Sequence, residues 1–120
     1  MRRLSALISL LSLLCVPSSA HAHALLDHAS PRVGSTVAAA PTELLLWFTQ
    51  KLEPAFSTVE VRDASGARVD DGRVQADSSD ASLLHVPLKL LGNGSYEVRW
   101  RVLSVDTHTT EGRFRFNVGK

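Results

Sequence analysis

Polar and apolar positions divide this chain into two regimes. Residues 4–16 are apolar apart from a few serines. Beyond residue 23, apolar and polar residues alternate in short runs, and no stretch of ten or more keeps a 3.6-residue period. Alternation of period 2 places successive side chains on opposite faces of a strand. The clearest case is residues 95–103, with Tyr96, Val98, Trp100 and Val102 on one face and Glu97, Arg99 and Arg101 on the other. Residues 113–118 repeat it, alternating Phe114, Phe116 and Val118 with Arg113, Arg115 and Asn117.

Further strands are expected at 24–28, 43–49 and 57–63, with Val59 and Val61 sharing a face in the last. A weaker, polar strand is expected at 67–74. Another is expected at 82–88, where Pro87 lacks the N–H for a central ladder and favours an edge. Ser30-Pro31, the residues 63–66 and Gly92-Asn93-Gly94 are the turn signals between them. Asn93-Gly94-Ser95 also matches a glycosylation sequon, and the tight turn is the plainer reading. Alternation with one wet face implies antiparallel sheets packed face to face. About seven short strands in about 100 residues predict an all-β, seven-stranded Greek-key β-sandwich. Trp47 and Trp100 are expected in its core, one from each sheet. Arg99, Arg101, Arg113 and Arg115 would form a stripe on its solvated outer face.

The N-terminal regime has a different character. Arg2 and Arg3 precede the apolar run, and Pro17, Ser18 and Ser19 lead to small residues. This is the pattern of a cleaved Sec-type signal peptide. The run is short for a membrane span, and the longest later apolar run is residues 44–48, so no stable membrane insertion is expected. Cleavage after Ala22 gives a signal peptide of residues 1–22, a mature domain of residues 23–120 and a periplasmic location. Cleavage after Ala20 would also satisfy the small-x-small rule. Either cut leaves a histidine first, His23 or His21.

Composition then narrows the chemistry. Cys15 and Met1 are the only cysteine and methionine, and both fall in the signal segment. The mature chain therefore has no disulfide framework, thiolate site or thioether site. It carries eleven Lys and Arg against twelve Asp and Glu. That balance gives no argument for nucleic acid or anionic membranes as partners.

An N-terminal histidine offers two nitrogens, the α-amine and the imidazole Nδ1, which close a six-membered chelate around a metal. Their ordinary pKa values, about 7.7–8.0 and about 6.5, leave both able to ligate near neutral pH. Nitrogen-rich tetragonal sites suit Cu(II). Asp106 and His108 lie two residues apart, so in an extended segment they point the same way. They would complete an N3O set with the amine and ring of His23. By spacing alone, however, an Asp-x-His pair is more often surface polarity than a ligand pair. His28 reads as an exposed strand residue and His85 as a strand residue with a satisfied imidazole.

Several stretches together resemble the CopC family of periplasmic copper resistance proteins. They are His23-Ala24-Leu25-Leu26 with Ser30-Pro31, Leu46-Trp47-Phe48, Tyr96-Glu97-Val98-Arg99-Trp100-Arg101, Ser104-Val105-Asp106-Thr107-His108, and Gly112 to Phe116. The resemblance implies a cupredoxin-like or Ig-like sandwich. It also implies one Cu(II) per chain, held by His23, Asp106 and His108, and it favours cleavage after Ala22. Where some members have a glutamate near the metal, this chain has Gln50, a neutral amide at best. Some members carry a Met-rich Cu(I) site; without methionine, no such site is expected here. The implied role is a monomeric binding protein, not an enzyme, that buffers copper or passes it to a CopD-type inner-membrane copper transporter.

Two other readings stand beside this one. A copper-dependent oxidative enzyme would use the same histidine chelate, but it needs a flat aromatic surface, and the seven Phe, Trp and Tyr residues fall mostly on inward faces. A metal-free β-sandwich for protein contacts would tolerate loss of Asp106 and His108.

Overall fold

The computed structural model describes residues 24–119. Eight strands form two four-stranded sheets: β1 (Leu26–Ser30), β2 (Thr36–Val37), β3 (Glu43–Phe48), β4 (Thr58–Asp63), β5 (Gln75–Ala76), β6 (Leu83–Pro87), β7 (Gly94–Leu103) and β8 (Thr109–Val118). One sheet has the order β1-β3-β6-β5, the other β2-β8-β7-β4. The expected β-sandwich is therefore present, with eight strands rather than seven. Two of the eight were not expected, β2, which pairs in parallel with the end of β8, and β5, which pairs with β6, while the expected strand at 67–74 is not among them.

Alternation explains the core. Leu44, Leu46 and Phe48 face inward from β3 and meet Val59 and Val61 from β4, Tyr96, Val98, Trp100 and Val102 from β7, and Phe114 and Phe116 from β8. Phe48 and Trp100 make an edge-to-face contact between the sheets, with ring centroids 5.1 Å apart. Sheets whose inner faces interdigitate this way bury their apolar rows together.

Three expectations are corrected. Trp47 is not core: its neighbours Leu44, Leu46 and Phe48 take the inward positions, so it lies half-buried on the outer face. There it stacks on His28 with centroids 4.3 Å apart. Pro87 is not on an edge strand, because β6 lies between β3 and β5. The two-residue β5 pairs only with His85 and Leu84, so the missing N–H of Pro87 is never needed. The polar strand expected at 67–74 is reduced to isolated bridges, Arg62 with Arg68 and Asp70 with Leu88. This segment instead caps the free edge of β4. The buried Asp70 carboxylate accepts hydrogen bonds from Val61 N at 2.8 Å, Gly72 N at 2.9 Å and Arg68 Nε at 3.0 Å. Gly72, in the left-handed region at φ 83, then turns the chain away.

The arginine stripe lies on the outer face as expected. Arg99 and Arg113 are directly opposite in the β7–β8 register. Glu97 offsets part of that charge, accepting from Arg99 Nε at 2.6 Å and Arg115 at 3.2 Å.

Candidate metal centre

β7 and β8 form a long hairpin joined by residues 104–108, and this connection carries both described candidate ligands. The hairpin closes where Ser104 N donates to the His108 carbonyl at 3.0 Å and Thr107 N donates to the Ser104 carbonyl at 2.9 Å. Thr107 takes φ 72, in the left-handed region. Asp106 and His108 therefore come together through a tight turn, not along an extended segment as their spacing suggested. His108 Nδ1 lies 3.3 Å from Asp106 Oδ1.

Ser104 is the hub of this turn. It is fully buried, its hydroxyl donates to Asp106 Oδ1, and the same oxygen lies 3.2 Å from the His108 carbonyl. The Ser104 hydroxyl holds the Asp106 carboxyl below the ordinary carboxylate range; partial burial works against this, and hydrogen bonds from His108 add to it. The pair thus presents an ionised carboxylate beside an exposed imidazole ring. The sequence placed Ser104 in the stretch that resembles the family but assigned it no role, because only the folded turn buries it and aims its hydroxyl at Asp106.

The start of the domain is fastened next to this turn. Ala24 is fully buried, and its carbonyl accepts a hydrogen bond of 2.5 Å from Thr110 Oγ1. Leu25 N donates to Thr49 Oγ1 at 3.0 Å, and Thr49 N donates to the Leu25 carbonyl at 2.9 Å. His23, the third expected ligand, lies outside the described residues. Gln50 follows Thr49 in the β3–β4 connection and is half-buried. Val105, within the turn, and Leu25, after Ala24, are exposed apolar side chains. Among the described residues no group of three or more His, Cys, Asp or Glu side chains converges as a metal site.

The CopC domain matches residues 26–119 of the chain. The chain belongs to the CopC family. It is 36% identical over 107 residues to copper resistance protein C of Xanthomonas campestris pv. juglandis, covering 84% of each chain. The crystal structure of CopC from Methylosinus trichosporium OB3b superposes with a TM-score of 0.75 at 35% identity, over 80% of this chain and 93% of that one. The copper transport protein CutJ of Bacillus subtilis is 30% identical over 115 residues; the match takes in 95% of this chain but only 21% of CutJ. Membership places the chain among proteins of copper resistance and transport. Asp106 and His108 lie within the matched domain, and His23 stands three residues before it.

The other histidines of the domain have structural partners. His28 Nδ1 lies 2.7 Å from Asp27 Oδ2, and the ring is held flat against Trp47. His85 bridges two carboxylates, with Nε2 2.8 Å from Asp77 Oδ1 and Nδ1 3.1 Å from Glu43 Oε2. A neutral imidazole has one N–H, so only the imidazolium donates to both. Accordingly Asp77, and then Glu43, push the His85 pKa up, although burial opposes them. In return His85, with Ser79, lowers Asp77 to about 2. Both histidines are thus on the outer face of the β1-β3-β6-β5 sheet, apart from the 104–108 turn.

Proposed function

We propose that this chain is an exported copper carrier that binds one Cu(II) through the mature N-terminus and the β7–β8 turn. The donors are the α-amine and imidazole of His23, the Asp106 carboxylate and the His108 imidazole. The observation that carries the reading is the Asp106–His108 pair, 3.3 Å apart, on the turn next to the fastened start of the domain. Its support is threefold: the pair is ionisable and exposed, the sequence residue before Ala24 is a histidine, and the relatives are named for copper. Three nitrogens and one oxygen suit Cu(II) over softer-ligand metals. The absence of methionine and cysteine from residues 23–120 removes the thioether and thiolate donors that Cu(I) prefers.

The signal-like sequence of residues 1–22 supports a periplasmic location, and the role proposed there is to buffer Cu(II) or hand it to a CopD-type membrane transporter. Because each ligand must shed its proton, binding weakens on acidification. The test is a competition titration with a chromophoric chelator on protein exported from cells. Wild type takes one equivalent of Cu(II), and His108→Ala and Asp106→Ala each lose at least about tenfold in affinity, the lower bound seen even for partners outside the ligand set. Equal affinity in all three proteins would overturn the assignment.

A further inference from the structure

The outer face of the β2-β8-β7-β4 sheet is the basic side of an otherwise acidic domain. Its outward positions on β4, β7 and β8 hold five arginines and three glutamates, whereas the other described residues hold five Lys and Arg against nine Asp and Glu. The strand registers set these side chains in rows: Arg62, Glu97 and Arg115 in one, Glu60, Arg99 and Arg113 in the next, then Thr58, Arg101 and Glu111. The arginines thus form an oblique track, from Arg115 on β8 through the Arg99–Arg113 pair to Arg101 on β7. Glu97 and Glu111 stand beside it at opposite corners. Glu97 accepts from both Arg99 and Arg115. Among the described residues the guanidinium groups of Arg101 and Arg113 have no protein acceptor, and both are exposed. Like charges directly opposite on neighbouring strands are unfavourable, and of the Arg99–Arg113 pair only Arg99 has a carboxylate bonded to it. Two open hollows of about 420 and about 300 Å³ lie along the track, and Arg99 lines both.

We propose that this face docks an extended acidic segment of a partner protein, with carboxylates on alternate residues. Arginine clusters read acidic motifs because each guanidinium presents a planar fork to a carboxylate. In an extended chain alternate side chains share a face and stand about 6.8 Å apart. The rows of this sheet repeat at that interval, so successive carboxylates meet Arg115, the Arg99–Arg113 pair and Arg101. Glu97 and Glu111 repel a segment displaced to either side of the track, which fixes its path. The same carboxylates argue against an anionic membrane, which has no register and is met by uninterrupted basic clusters. A small free anion would fill one hollow and leave the other. The opposite charge of the rest of the domain steers an acidic partner to this face. The surface stands apart from the copper reading: neither Asp106 nor His108 lines either hollow.

The test uses isotope-labelled protein exported and matured in cells, and a blocked peptide of alternating glutamate and threonine. The control ligands are a peptide of the same composition with its glutamates consecutive, free glutarate, and vesicles of phosphatidylcholine and phosphatidylglycerol. Two-dimensional NMR at low salt reads both affinity and place. The alternating peptide is expected to shift the amides of residues 99–101 and 113–115 and to bind more tightly than the other peptide or glutarate. It should be released at about 1 M salt, where screening shrinks to about 3 Å. Arg113→Gln should weaken binding about fivefold, the upper range for an exposed ion pair. Arg73→Gln, at an exposed arginine off this face that pairs with Asp71, should leave it unchanged. Without ligand, Arg113→Gln should melt no lower than wild type, because the like-charge opposition is gone. Equal peptide binding by Arg113→Gln and wild type would overturn the proposal, as would equal affinity for either control ligand in solution. A lowered melting temperature of Arg113→Gln would also overturn it, by giving the arginine a role in the fold. So would retention on the vesicles with no peptide binding, which would make the face a membrane contact.

Discussion

Replacing Gly112 with alanine isolates one steric relation of the fold. Gly112 sits directly opposite Trp100 in the β7–β8 register. A methyl group built on it would lie 2.5 Å from Trp100 Cζ2, 2.8 Å from Cε2 and 3.2 Å from Nε1. Carbon atoms in good contact stand about 3.5–4.0 Å apart, so the indole would have to retreat by about 1 Å. It has little room to do so, because the Trp100 ring is buried and wedged edge-on against Phe48 from the other sheet. Backbone strain plays no part, since Gly112 lies outside the left-handed region. Alanine even gains about 0.5–1 kcal/mol by losing less backbone entropy than glycine. Overpacking of this kind costs about 1–3 kcal/mol, so the clash wins by about 1–2 kcal/mol. For a domain of this size each kcal/mol lowers the melting temperature by about 4–8 °C. Thermal unfolding followed by near-ultraviolet circular dichroism should therefore show Gly112→Ala melting about 5–15 °C below wild type. A variant that melts at or above the wild-type temperature would refute the packing argument.

Two other outcomes follow from particular side chains. The Glu43–His85–Asp77 bridge is a pH-dependent tie between β3, β6 and the β5–β6 connection. The raised His85 pKa means its contribution is complete below the ordinary value of 6.5 and fades as pH rises through the folded value. The lowered Asp77 pKa means its contribution is present above the ordinary 3.8 and is lost as pH falls towards about 2. The melting-temperature gap between wild type and His85→Gln should thus be widest near pH 5–6 and shrink by pH 9; a gap that is constant with pH would contradict the imidazolium assignment. Ser104→Ala removes the hydroxyl that orients Asp106 and should weaken Cu(II) binding by about tenfold, measured by chelator competition. An unchanged affinity would show that the turn holds the carboxylate without it.

The long strands were legible because each has one wet face. Residues 95–103 and 113–118 alternate without a break, and β7 and β8 follow that alternation. The short strands carried no such signal, since β2 and β5 have two residues each and no period can be read from two positions. Trp47 was misplaced because size suggested the core, whereas the alternation of Leu44, Leu46 and Phe48 excludes it. Asp70 falls in a polar run with no mark of its own, and only the tertiary path of the chain along the β4 edge buries it.

At the candidate site, residue types were legible and the local geometry was not. The Asp-x-His spacing located the pair, but the turn that joins it depends on Thr107 at positive φ, where no glycine marks the bend.

The most direct test of the copper assignment is native mass spectrometry of the protein recovered from the periplasm, with and without one equivalent of Cu(II). The account predicts a chain that begins at His23, gains the mass of one copper ion, and loses that gain in His108→Ala. A chain that begins at His21, or a chain from His23 that retains no copper, would contradict it.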